Sequence, residues 1–160
     1  MRKIIPVILV ILMIFMFCFS AQPANEISET SSGFCIIFAK FLYLDYENYD
    51  ISIQTVITSG LEFIIRKTAH FTEYAFMGFL WYLYLADKKY NVLLSIGATG
   101  VYACTDEVHQ LFVEGRSGQI SDVLLDTCGG CFGVLIAFII LCIFNCCRNH
   151  KILKKGVWQV

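Results

Sequence analysis

The stretch "RKTAHFTEYAFMGFLWYLYLA", residues 66–86, reads as a membrane-crossing helix except that His70 and Glu73 stand in its first turns. An ionisable side chain at bilayer depth costs at least about 2.5 kcal/mol, so such groups face a bundle interior or a water-filled cavity. Whether they do so here depends on what the rest of the chain supplies.

Composition fixes the class. Of the 160 residues, 58% are hydrophobic and 15% aromatic, and the mean hydropathy of +0.68 lies well above that of a soluble domain. The chain reads as an all-α, polytopic membrane protein forming one domain. Crossing a bilayer takes about 20 residues, and segments 4–20, 69–86, 91–108 and 123–144 meet that requirement. The third is the weakest, because its apolar part is short and holds Gly97 and Gly100, and its continuation "TDEVHQ" needs neighbouring helices to shield it. The first has a basic start and small residues after its apolar run, as a signal peptide does. That run exceeds the usual 7 to 15 residues, however, and Phe19 stands where a cleavage site needs a small side chain, so it is taken as a span.

Charge orients the bundle. Among the 12 Lys and Arg, Arg2 and Lys3, Lys88 and Lys89, and Arg148, Lys151, Lys154 and Lys155 all fall on one side of a four-span arrangement, and Asp87 is the one acidic residue there. The positive-inside rule makes that side cytoplasmic, with both termini on it, in the plasma membrane. The opposite side receives the acidic residues, with His70 and Glu73 opening the second span, Asp106 and Glu107 closing the third, and Asp122 and Asp126 opening the fourth.

Helical spacing refines the picture. Lys67, His70, Glu73 or Tyr74, and Met77 share a face, Gln110 shares one with Asp106 and with Glu107, and Asp122, Asp126 and Gly130 line up. Gly129 and Gly133 add a small-residue surface for close helix approach. The turn "EGRSGQ" puts Arg116 where it folds over the acidic mouth. The candidate polar site is therefore Lys67, His70, Glu73, Asp106, Glu107, Gln110, Arg116, Asp122 and Asp126.

The blocks "FSAQPA", "RKTAHFTEYAFMGFL" and "YACTDEVHQLFVEGRSGQISDVLLDTCGGCFG" resemble the VanZ-like family, named for a protein associated with resistance to the glycopeptide antibiotic teicoplanin. The resemblance implies an envelope membrane protein affecting lipoglycopeptide resistance, but no particular reaction. At Asp126 relatives carry Asn as well as Asp, so it implies no strict need for charge there.

Each feature also has a plainer reading. His70 and Glu73 fit an interfacial pair held by Arg66 and Lys67, and Asp106, Glu107 and Arg116 fit an ion pair over a helix end. His70, Glu73, Asp106, Glu107 and His109 are ligand types suited to zinc or manganese, yet no paired-His motif occurs, and the expectation is no metal and no cofactor. "CGGC", residues 128–131, lies in an apolar helix where cysteine acts as a small hydrophobe. Residues 21–68 read as extramembrane, with "NEISETSSG" a polar linker and 34–44 an interfacial segment or lid. The sequence holds no internal repeat, phosphate loop or basic stripe, which argues against nucleic acid as a partner. Two functional classes remain, a site that binds a lipid, a lipid-linked envelope precursor or a lipoglycopeptide antibiotic, and an enzyme doing acid-base chemistry on a lipid head group.

Overall fold

The computed structural model describes residues 3–22 and 24–156, with side chains described over 3–22 and 33–148. Arg2 and the side chains of Lys151, Lys154 and Lys155, which entered the charge argument, lie outside the described residues. Those residues form five α-helices and no strand: α1 (Ile5–Ser20), α2 (Ala24–Leu42), α3 (Ile51–Tyr84), α4 (Asn91–Gln110) and α5 (Ile120–Gly156), with a 3-10 turn at Tyr46–Asn48 between α2 and α3.

Each expected span overlaps a helix, with residue 4 just before α1 and residues 85–86 just after α3, but two helices run well beyond theirs. At about 1.5 Å per residue, the 34 residues of α3 are about 51 Å long, whereas a bilayer's hydrocarbon core is about 30 Å thick. The segment "NEISETSSG" is not a linker but part of α2. Segment 34–44 is mostly the C-terminal part of the same helix, which packs on the first half of α3 and buries Cys35 and Ala39 completely. At the tip of this α2/α3 hairpin Lys40 Nζ donates to Glu47 Oε1 at 2.6 Å. That bond and its charge raise the lysine pKa and lower the glutamate pKa.

Inside the bundle the helices alternate in direction. α4 runs against α3, with the Tyr74 and Tyr102 rings 6.1 Å apart, and α5 runs parallel to α3, with Phe71 beside Phe132 and Tyr82 beside Phe138. The α3/α5 seam is built on glycine. A Cβ at Gly129 would stand 2.5 Å from the Phe71 carbonyl oxygen, one at Gly133 would strike that of Ala75, and one at Gly78 would strike Gly130. Without side chains there, backbones approach as they do at small-residue helix crossings in membranes. Leu9, Met16, Tyr74, Met77, Leu80 and Ala103 form the core between α1, α3 and α4, and Tyr82, Val134 and Ala137 form a second between α3 and α5.

Three hydroxyls of α4 and α5 are satisfied locally. Ser95, Thr99 and Thr127 each donate to the carbonyl four residues back, at 2.6, 2.9 and 2.7 Å, the pattern that tolerates hydroxyls in apolar surroundings. Among the described residues one helical stretch, Ile120–Arg148, is long and apolar enough to cross a membrane, and only 22% of its most apolar window is buried by the protein itself. An apolar surface left so uncovered matches a lipid-facing helix better than a core helix. α1 is apolar but 16 residues long.

Candidate functional site

The polar residues gather at one end of the bundle, formed by the end of α1, the middle of α3, the end of α4 and the start of α5. Asp106 is the deepest of them. It is 4% exposed; its Oδ2 accepts from Gln110 Nε2 at 3.2 Å and faces the Tyr74 hydroxyl at 3.4 Å, while its Oδ1 is buried with no partner. A carboxylate at a helix C-terminus opposes the helix dipole, so α4 gains nothing from this placement. Asp126, in α5, is 2% exposed; its Oδ2 lies 3.8 Å from His70 Nδ1, and its Oδ1 also lacks a partner.

A cavity of about 200 Å³ opens against Asp106. Glu62, Arg66, His70, Glu73, Arg116 and Ser20 line it with Asp106, and Met16, Phe19, Ile65 and Ala69 supply apolar wall. Ser20 Oγ is buried and unpartnered as well. A second, more polar cavity of about 190 Å³ adjoins it and shares His70, Arg66 and Arg116; Lys67, Gln110, Ser117, Gln119 and Asp122 complete its polar lining. Lys67 Nζ donates to Asp122 Oδ1 across the second cavity, joining α3 to the first turn of α5.

The 111–119 connection carries Arg116 to this place. Gly115 adopts φ 76°, the one positive φ among the described residues, where a residue with a Cβ would be strained. Arg116 then donates from Nε to the Gln22 carbonyl at 3.2 Å, bridging to the end of α1. Burial pushes its guanidinium pKa below the usual value and the Arg66 charge adds to this, while Asp106 and Glu107 oppose it.

Seven of the nine predicted site residues, Lys67, His70, Glu73, Asp106, Gln110, Arg116 and Asp122, line one or both cavities. Asp126 stands behind His70. Glu107 lines neither; its Oε1 accepts the Gln119 backbone N–H, fixing the connection to the start of α5. His109 turns away and stacks on Phe17 with centroids 4.1 Å apart. Among the described residues no three His, Cys, Asp or Glu side chains converge as a metal-ligand group, and all eight cysteines are free thiols.

Ser20 and Tyr74 gain importance from the structure. A lone serine ending an apolar run carries no spacing signal, although the block "FSAQPA" contains it. Tyr74 shares the His70 stripe but reads as core until its hydroxyl is seen beside Asp106.

No curated protein and no solved structure matches the chain. A family model described as VanZ/LLP1 matches residues 6–142. That match takes in every helix of the bundle and every residue of the two cavities, and the chain belongs to the VanZ/LLP1 family.

Proposed function

We propose that this chain is a multi-pass protein of the bacterial cytoplasmic membrane. In this reading it has four spans and cytoplasmic termini, and its polar cavities open outward to receive the head group of a lipid or lipid-linked envelope precursor. Expression then changes sensitivity to teicoplanin-type antibiotics through that site. The observation that carries the reading is the unpartnered Oδ1 of Asp106, buried at the wall of a cavity beneath Arg66 and Arg116. A buried carboxylate with a free lone pair destabilises the fold, and a polar ligand satisfies it.

Sidedness is tested by cysteine accessibility on a cysteine-free background. Position 116 is expected to label from outside intact cells and position 88 only after permeabilisation; labelling of both from one side defeats the four-span arrangement. For the site, His70→Ala, Asp106→Asn and Arg116→Ala are each expected to abolish the change in antibiotic sensitivity at unchanged membrane abundance. Full activity of all three makes the cluster a structural feature.

A second reading rests on His70, which lines both cavities and has Asp126 behind its Nδ1. A carboxylate-oriented imidazole is the usual general base, and acid-base chemistry on the bound head group follows from it. Turnover of labelled envelope lipids by the purified protein, lost in His70→Gln, separates catalysis from binding.

A further inference from the structure

The deepest polar residues of the first cavity are acidic or neutral, and its two arginines stand further out. Arg66 is exposed and Arg116 half-buried, whereas Asp106 and Ser20 are 4% exposed each. Both deep residues line the cavity and each has a polar atom without a hydrogen-bond partner, Asp106 Oδ1 and Ser20 Oγ. Glu62 and Glu73, both half-buried, line the same space.

Each half of the cavity selects a chemistry. Two guanidiniums present planar donor forks that suit phosphate oxygens. The deep end offers the reverse, carboxylate and hydroxyl acceptors in want of donors, and a primary ammonium brings three N–H groups and a positive charge. A purely anionic head group leaves Asp106 and Glu73 opposing it, and a bare cation leaves the guanidiniums opposing it. Size narrows the choice further, since about 200 Å³ is below the roughly 300–1,000 Å³ of pockets that enclose drug-sized molecules. The body of a glycopeptide antibiotic does not fit, whereas a phosphate and an amine joined by a short carbon chain do. The apolar patch of Met16, Phe19, Ile65 and Ala69 faces the carbons between the two charges.

We infer that the ligand is a zwitterionic aminoalkyl phosphate head group, with its phosphate on Arg66 and Arg116 and its ammonium on Asp106 Oδ1 and Ser20 Oγ. This rests on the head-group reading above and names the chemical class of the ligand.

The test uses the full chain in detergent, titrated with phosphatidylethanolamine, phosphatidylglycerol or phosphatidylcholine and read by native mass spectrometry. Phosphatidylethanolamine is expected to bind at least ten-fold more tightly than either of the others, because phosphatidylglycerol lacks the ammonium and phosphatidylcholine has no N–H to donate. These ligand comparisons need no mutation and so do not depend on a variant folding. Asp106→Asn is expected to erase the preference for phosphatidylethanolamine over phosphatidylglycerol, and Arg66→Ala with Arg116→Ala to weaken both. Soluble phosphoethanolamine competing with the lipid assigns the affinity to the head group alone; failure to compete, with the lipid preference intact, assigns the ligand to the lipid. Equal binding of phosphatidylethanolamine and phosphatidylglycerol by the native chain overturns the zwitterion while leaving the head-group site standing. Absence of binding to all three lipids overturns both.

Discussion

Tyr102 shows how single polar contacts tie the site's walls together. Its hydroxyl donates to the Met13 carbonyl at 2.6 Å, holding α4 to α1 next to the cavity. That carbonyl also has its own helical donor, so Tyr102→Phe strands no buried acceptor and is expected to destabilise by about 0.5–1.5 kcal/mol, measured by thermal unfolding in detergent. Glu107 is the complementary case. It accepts the Gln119 backbone N–H, so Glu107→Ala is expected to loosen residues 111–119 and expose them to protease, whereas Glu107→Gln retains an acceptor and stays near native resistance. Spacing alone placed Glu107 with the cavity residues, because it shares a helical face with Gln110. Which way a carboxylate turns at a helix end is set by the following loop, and the tight turn at Gly115 brings the Gln119 N–H within its reach.

Packing between whole helices rests most heavily on the α3/α5 seam. Gly133→Ala pushes a methyl group into the Ala75 carbonyl and is expected to cost about 1–3 kcal/mol as an overpacked contact. Gly60 lies in α3 with nothing within 4 Å of an added Cβ, and Gly60→Ala is expected to stabilise by about 0.4–1 kcal/mol by restricting the unfolded chain. Opposite signs for the same chemical change, read from denaturation of the two variants, check the seam. The sequence showed Gly129 and Gly133 as a small-residue surface but not its partner, since glycine spacing contains no information about the opposing helix. It also left α3 short. Residues 51–68 mix Gln54, Thr55, Thr58, Gly60 and Glu62 among aliphatic side chains, which hides the helix from a search for apolar spans.

At the scale of the molecule the apolar surface outweighs the core. Cys128, Cys131 and Cys142 are exposed on α5, among Phe132, Leu135, Ile139 and Phe144, which are themselves exposed. If lipid covers that surface, a charged maleimide is expected to leave all three thiols unlabelled in intact membranes while a membrane-permeant one modifies them, and detergent is expected to abolish the difference. Equal labelling by both reagents in membranes places α5 in water. The all-helical class and the clustering of charge at one end were legible because hydropathy and loop charge are properties of composition, whereas α2 was hidden by the polar run of residues 25–33. The two cavities were not, since they depend on where Ser20 and Arg66 come to stand relative to α4.

The length of α3 has a mechanical consequence. No proline interrupts Ile51–Tyr84, but the small pair Ser59–Gly60 is a place at which a helix can kink. The first part of α3 packs on α2 and its later part on α5 through the glycine seam, and Arg66, His70 and Glu73 stand where the two parts meet. The outer hairpin and one wall of the cavity therefore belong to a single helix, and Ser59–Gly60 separates the part that packs on α2 from Arg66 and His70.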